Sequence, residues 1–86
     1  MKFSKPIVFM DIEATGPDAT RDRIVEMGLI KVLPDRSYTA YVQRVNPGIR
    51  IPAEVIAIHH ITNEDVAQAP SFKEIAAREA RLGRWR

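Results

Sequence analysis

Residues 9–16, FMDIEATG, place two carboxylates at the end of a segment that is otherwise strongly apolar. The apolar residues 7–10, IVFM, predict a buried β-strand. Asp11 and Glu13 follow with one residue between them, and the alternation of side chains along a strand puts both on the face that carries Phe9. Two carboxylates this close together repel each other, and a hard cation such as Mg²⁺ would neutralise them. The alternative is a strand that surfaces and hydrates its two acids, because a D-x-E pair alone is common.

The composition predicts one small domain at most. The chain has 86 residues, no cysteine and a net charge of +2 at pH 7. Without cysteine there are no disulfides and no thiolate metal sites, which suits a cytoplasmic location. No apolar run approaches the roughly 18 to 20 residues that cross a bilayer, so we expect no membrane partner.

The basic residues concentrate in a C-terminal tail, residues 78–86, which holds Arg78, Arg81, Arg84 and Arg86 together with Trp85. Such a tail can bind phosphate groups. We favour the simpler interpretation, a solvated helix end, because arginines interact favourably with the negative end of a helix dipole.

The hydrophobic pattern predicts three strands followed by helices. We expect strands over 6–13, 23–33 and 38–46, with a loop at 14–22 and a turn at 34–37. The second strand is apolar on both faces, as is typical of a central strand. A three-stranded sheet with one helical layer leaves an open sheet edge, through which we expect self-association.

Helix-start signals follow the third strand. Pro52 suits the first turn of a short helix over 53–60. Thr62 with Asp65 predicts a second, short helical turn. Ser71 with Glu74 forms a capping-box pattern and opens a helix with Phe72, Ile75 and Ala76 on one face, which should end near Gly83.

We predict structural roles for the other residues that could have carried chemistry. His59 and His60 are adjacent and point in different directions on a helix, so they cannot chelate one metal well, and we predict packing or capping roles for them. Glu26 could add a third carboxylate, but we expect it to pair with a basic residue such as Arg44. Tyr38 and Tyr41 lie on opposite faces of their strand and make no stacking platform for bases.

The segments FMDIEATG, RIVEMGLIKV and VNPGIRIPAEVIAIHHITNEDVAQAPSFKEIA resemble, in order and spacing, the N-terminal half of the DnaQ-like 3′–5′ exonucleases with a DEDDh active site. That family includes the proofreading subunit of bacterial replicative DNA polymerase, ribonuclease T and oligoribonuclease-like enzymes. The resemblance covers residues 6–77 and leaves 78–86 as an atypical basic tail. It implies an α/β fold of the ribonuclease H-like type, whose mixed sheet begins with three antiparallel strands.

The resemblance also implies roles for single residues. Asp11 and Glu13 would be the first two letters of DEDDh, both catalytic and ligands of two Mg²⁺ or Mn²⁺ ions. The turn with Thr15 and Gly16 would contact the 3′-terminal nucleotide, and the block 59–62 would line the pocket for the terminal sugar and base. His60 stands where the family usually has glycine. The complete set of implied substrate-binding residues is Ile12, Ala14, Thr15, Gly16, Ile58 and His59.

The family's third carboxylate, its general-base histidine and its final aspartate would lie beyond residue 86. We therefore expect residues 1–86 to be one partial exonuclease domain, as a fragment of a longer product or as a frameshifted or truncated one. We expect it to bind Mg²⁺ weakly and to cleave little or nothing alone. The expected partners are the 3′ end of single-stranded DNA or RNA and polymerase subunits. The alternative is a non-enzymatic half-domain that binds a nucleic-acid end or a partner chain.

Overall fold

The computed structural model describes residues 2–85; Met1 and the tail residue Arg86 lie outside the described residues. An antiparallel sheet in the order β1-β2-β3 is followed by helices. The described elements are β1 (Ile7–Ala14), β2 (Ile24–Val32), β3 (Tyr38–Arg44), α1 (Ala53–His59), α2 (Asn63–Ala67) and α3 (Phe72–Leu82). The predicted order is confirmed, and β2 is the central strand as expected. Among residues 2–85, no helix is long and apolar enough to span a bilayer.

The strand register gives the sheet two unlike faces. One, which we call the packed face, carries Met27, Leu29, Tyr41 and Gln43, and α3 lies against it. The other, which we call the open face, carries the following side chains: Phe9, Asp11, Glu13, Glu26, Ile30, Ala40, Val42 and Arg44. Asp11 and Glu13 therefore share a face with Phe9, as the alternation predicted.

The core lies entirely on the packed side and has two parts. Ile75 of α3 is 1% exposed and packs against Met27 and Val45. A second cluster joins Val25 to residues of the loop and helices that follow β3, namely Ile51, Ile61 and Val66, with Val55 and Ile56 packed against it. Burying these aliphatic side chains contributes roughly 1.5–3 kcal/mol each to stability.

β1 is more exposed than the sequence pattern predicted. Phe9 is 56% exposed and Met10 63%, although the IVFM segment was expected to be buried. The reason is topological, because β1 is an edge strand and no segment within residues 2–85 covers either side of its middle. The predicted apolar face of α3 is also only partly buried, because Ile75 reaches the core while Phe72 is half exposed.

Local capping chemistry fixes the helix ends. Thr62 accepts the Asp65 N–H and Asp65 accepts the Thr62 N–H, which completes a reciprocal capping box on α2. The Ser71 hydroxyl accepts the Glu74 N–H at the start of α3, but within residues 2–85 the Glu74 side chain does not return the bond to Ser71 N, so only half of the predicted capping box forms. Gly83 ends that helix with a positive φ of 66°, as predicted. Pro52 occupies the N-cap of α1 rather than its first turn.

The tail packs on the sheet instead of extending into solvent. Arg78 donates to Tyr41 Oη at 2.6 Å and to Gln43 Oε1 at 2.9 Å, and the Trp85 ring lies 5.5 Å from the Tyr41 ring. Glu79 accepts hydrogen bonds from Arg84 and from Trp85 Nε1. The interpretation of the tail as a solvated helix end is therefore wrong for Arg78 and Trp85.

Candidate active site

The two carboxylates stand side by side at the end of the open face. Asp11 is exposed and Glu13 half-buried, and on β2 they face Gly28 and Glu26 respectively. Within residues 2–85 neither carboxylate has an ion pair or a hydrogen bond from another side chain. Both are therefore free to bind a cation. Next to Asp11, the sheet has an apolar groove of about 320 Å³ whose floor includes Gly28.

Glu26 does not add a third free carboxylate. Its Oε2 accepts a hydrogen bond from Arg44 Nε at 2.8 Å, which confirms the predicted pair, and this hydrogen bond raises the pKa of Arg44. Arg44 Nη1 also lies 3.6 Å from Asp65. In the part of the chain that the structure describes, no group of three or more histidine and acidic side chains has the spacing of a metal site.

Asp11 and Glu13 nevertheless fit a divalent cation. Mg²⁺ prefers oxygen ligands and typically takes one or two carboxylates, with the remaining positions filled by water and substrate phosphate. Two unpaired carboxylates on adjacent positions of one strand face meet this requirement. The pair could therefore supply two of the oxygen ligands of such an ion.

A β-bulge redirects the chain immediately after Glu13. Glu13 pairs with Glu26 but Ala14 pairs with Ile24, which leaves Val25 as the extra residue of β2. Bulges bend a strand and re-aim its side chains, and they are frequent beside active sites. Beyond the bulge, Thr15 N donates to Arg23 O at 2.8 Å. This hydrogen bond holds the two ends of the loop between β1 and β2 together.

The turn after the acids is held by Asp22, which the sequence analysis left unassigned within the loop. Buried Thr15 donates its hydroxyl proton to Asp22 Oδ1 at 2.9 Å, and the Asp18 N–H donates to Asp22 Oδ2 at 2.8 Å. A Cβ on Gly16 would lie 2.5 Å from Asp22 Oδ2, so only glycine allows this approach. The available signal was an acidic residue two positions before β2, close to a threonine directly after β1.

His59 binds the helical segment to the end of β1. Its Nε2 lies 3.1 Å from Ala14 O, and its Nδ1 accepts the Ile61 N–H at 3.1 Å. These two bonds together require the neutral ring with its proton on Nε2. His59 thus fixes α1 beside the residue that follows Glu13, which is a structural role of the kind predicted.

The neighbouring histidine, His60, ends α1 through its backbone rather than through its side chain. His60 is the C-cap of α1 and has a φ of 62°, in the left-handed region where glycine is favoured. This geometry explains physically why a glycine suits the position. Its N–H donates to Ile56 O at 2.7 Å and closes the helix.

The structure brings together only part of the predicted substrate-binding set. Ala14, Thr15, Gly16 and His59 are gathered at the end of β1 through the contacts described above. Ile58 is 78% exposed on α1. The side chain of Ile12 lies on the face opposite the carboxylates, so Ile12 could contact a substrate on their face only through its backbone.

Comparison with known proteins connects this arrangement to nucleases. A family model described as an exonuclease, RNase_T, matches residues 8–84. The chain is 32% identical over 79 residues to DNA polymerase III subunit epsilon of Buchnera aphidicola subsp. Acyrthosiphon pisum, covering 84% of this chain and 33% of that protein. It is 38% identical over 74 residues to a DNA polymerase III subunit epsilon-like protein of Rhodobacter capsulatus, covering 83% and 10%. The chain thus spans a third or less of the length of these relatives.

Solved structures show the same fold. The nuclease domain of 3′hExo, a DEDDh family member bound to rAMP, superposes with a TM-score of 0.74 at 19% identity, covering 93% of this chain and 44% of that chain. Exonuclease X in complex with 5′ overhanging duplex DNA gives a TM-score of 0.71 at 25% identity, covering 83% and 41%. These likenesses confirm the predicted ribonuclease H-like fold, of which the three antiparallel strands and the helices form part.

Proposed function

Because this chain belongs to the RNase_T family of exonucleases, we propose that it supplies the first catalytic strand of a 3′–5′ exonuclease that hydrolyses phosphodiester bonds at DNA or RNA 3′ ends. The observation that carries this proposal is the pair Asp11 and Glu13, unpaired and adjacent on the open face. Two carboxylates without a counter-charge on one strand face suit the coordination of a divalent cation.

The residues around the pair have separable roles in this reaction. Asp11 and Glu13 would hold Mg²⁺ or Mn²⁺, two ions in the complete site, which when bound polarise the phosphodiester and activate water. Asp22 holds the Thr15–Gly16 turn by its hydrogen bonds with Thr15 and Asp18, and in this proposal the backbone of that turn would contact the 3′-terminal nucleotide. His59 fixes the distance between that turn and α1 by its bond to Ala14 O.

In this proposal residues 1–86 are a partial exonuclease domain, in which residues 6–77 resemble the family. They contain only some of the catalytic residues. Both ring nitrogens of His59 are engaged, so this side chain is not available as a general base. The relatives are at least three times longer than the matched region. The third carboxylate and the general base would come from sequence outside these residues, and polymerase subunits are proposed as partners by extension from the epsilon-type relatives.

The test is the release of mononucleotides from 3′-labelled single-stranded DNA and RNA oligomers by the 86-residue chain with Mn²⁺. Asp11→Asn is the site variant, and Glu64→Gln on α2 is the control for loss of an exposed carboxylate. We expect no release above the Asp11→Asn background. Release that disappears only in Asp11→Asn would show a complete site and contradict the partial-domain proposal. Release that is equal in all three proteins would indicate a contaminating nuclease and leave the expectation of an inactive chain in place.

A second candidate function is association through the open edge of β1. Phe9, Met10 and Val8 are all at least two-fifths exposed, and the first half of β1, residues 7–10, contains no charged residue and no proline to protect this edge. We propose a second copy of the chain as the occupant, paired strand to strand along β1. Multi-angle light scattering at increasing concentration tests this: a dimer in the parent that becomes monomeric in Met10→Lys supports it, and a monomer throughout contradicts it.

A further inference from the structure

A separate cavity lies at the end of the sheet where α3 begins. Its volume is about 430 Å³, and it is formed where segments 22–24, 45–48 and 71–73 meet. Val45 and Pro47 are buried at this place and form an apolar floor. None of the residues assigned above to metal binding lines it, so this cavity needs its own explanation.

Two cationic side chains border the cavity without an anionic partner. Within residues 2–85, the side chains of Arg23 and Lys73 make no ion pair and no hydrogen bond. Asp22 also lines the cavity, but its two carboxylate oxygens are occupied by the Thr15 hydroxyl and the Asp18 N–H. The cationic donors at the rim are the guanidinium and the ammonium group, which favour an anion such as phosphate. Asn46 and Ser71 also line the cavity, with neutral polar side chains.

An exposed aromatic ring completes the cavity. Phe72, at the first helical position of α3, is 50% exposed and lines the cavity, although the sequence pattern placed it on the apolar face with Ile75. Single-stranded nucleic acids are bound by this combination, in which cations follow the backbone and an aromatic ring stacks on a base.

We propose that this cavity is a subsite for single-stranded nucleic acid, in which Arg23 and Lys73 bind phosphates and Phe72 stacks on a base. The polarity of the bound strand rests on the proposed function. If the 3′-terminal nucleotide occupies the active site, the nucleotides in this cavity lie on its 5′ side. Two hydrogen bonds connect the cavity residue Arg23 to the turn after the carboxylates. Thr15 N donates to Arg23 O at 2.8 Å, and Arg23 N donates to Thr15 Oγ1 at 3.0 Å. The cavity thus begins one residue pair from the turn after the carboxylates.

The experiment measures the anisotropy of a 5′-labelled oligothymidylate of about twelve nucleotides, titrated with the 86-residue chain in EDTA at several salt concentrations. The variants are Arg23→Gln/Lys73→Gln and Phe72→Leu. The double variant should lose about 1.4 from the slope of log affinity against log salt, about 0.7 for each phosphate contact. Phe72→Leu should weaken binding by about fivefold or more with the slope unchanged. Circular dichroism confirms that the variants fold.

Arg81→Gln is the matched control, because it removes one exposed positive charge from the opposite end of α3. If Arg81→Gln lowers the slope and the affinity by as much per removed charge as the double variant does, binding is a general charge effect and the subsite is rejected. Equal binding of the parent and the double variant also rejects it.

Asp11→Asn separates the subsite from the proposed function. Oligomer binding in EDTA, compared between the parent and the cavity variants, reports on the subsite alone, and Mn²⁺ binding, compared between the parent and Asp11→Asn, reports on the metal site alone. If the cavity variants have no effect while Asp11→Asn abolishes Mn²⁺ binding, the subsite fails and the proposed function stands. If the cavity variants weaken oligomer binding while Mn²⁺ binding is unaffected by Asp11→Asn, the metal proposal fails and the nucleic-acid surface stands.

Discussion

The two faces of one three-stranded sheet differ in almost every physical property. The packed face buries Met27 and Val45 against Ile75 of α3 and is closed at its far end by Trp85 on Tyr41. The open face exposes Phe9, at 56%, and Val42, at 70%, and ends in unpaired carboxylates. Both faces carry large apolar side chains, so the presence of such side chains alone does not determine which face is packed.

The difference separates the side chains that stabilise the fold from those that we propose for its chemistry. The side chains that hold the fold together lie on the packed face or beneath α1 and α2. The residues with unsatisfied charge lie where packing is thinnest, as is usual for functional sites that break local rules of stability. Stability and function should therefore respond to different substitutions.

The largest expected effect comes from the packed face. Ile75→Ala should lower the free energy of unfolding by about 2–5 kcal/mol, because it removes a side chain that is 1% exposed and leaves a cavity between Met27 and Val45. Val42→Ala on the open face should cost less than about 1 kcal/mol. Urea unfolding followed by circular dichroism measures both, and similar losses would mean that the two faces are equally packed.

The next effect lies at the junction of the two faces. Thr15→Val removes the hydroxyl that donates to Asp22 and accepts the Arg23 N–H, so a partly buried carboxylate and a backbone donor each lose a partner. We expect a loss of about 1–3 kcal/mol in the same unfolding measurement. Thr39→Val, at an exposed position of β3, should stay within about 0.5 kcal/mol. A neutral Thr15→Val would mean that the Asp22 network does not hold the turn.

The tail on the packed face should respond to acid. Hydrogen bonds from Arg84, and further ones from Trp85 and Arg78, lower the pKa of Glu79 from 4.5 to about 2. Since the folded pKa is the lower one, this contribution to stability is present above about pH 4.5 and is lost as the pH falls toward about 2. The fluorescence of Trp85, the single tryptophan, should shift to the red over that range. In Glu79→Gln the shift should be absent there; an identical pH profile would exclude Glu79 as its origin.

The smallest expected effect is a gain on the open face. Glu13 and Glu26 are direct cross-strand partners of like charge. Glu13→Gln should therefore raise the free energy of unfolding by about 0.2–1 kcal/mol. Glu26→Gln should bring no such gain, because it also loses the hydrogen bond from Arg44. If Glu13→Gln lowers the free energy of unfolding, the Glu13 carboxylate has a stabilising partner and is not free to bind a cation.

Local patterns predicted the features that depend on local chemistry. Strand order, the central position of β2, the Glu26–Arg44 pair and the glycine that ends α3 all follow from periodicity, cross-strand spacing and the capping preferences of single residues. The identity and shared face of Asp11 and Glu13 follow from alternation alone.

The features that sequence reasoning missed depend on partners far along the chain. The bond between His59 and Ala14 joins residues 45 positions apart, and the contact of Arg78 with Tyr41 joins residues 37 positions apart. The exposure of Phe9 depends on what covers the sheet, a property that the strand's own pattern does not contain. Asp22 carries no motif, and its role appears only when the loop closes on Thr15.

The central claim is that Asp11 and Glu13 form part of a catalytic metal site. Its most direct test is a Mn²⁺ titration of the 86-residue chain followed by electron paramagnetic resonance, beside Asp11→Asn and the carboxylate control Glu64→Gln. We predict weak Mn²⁺ binding that is lost in Asp11→Asn and retained in Glu64→Gln. Mn²⁺ binding of equal strength in the parent and Asp11→Asn would contradict the claim.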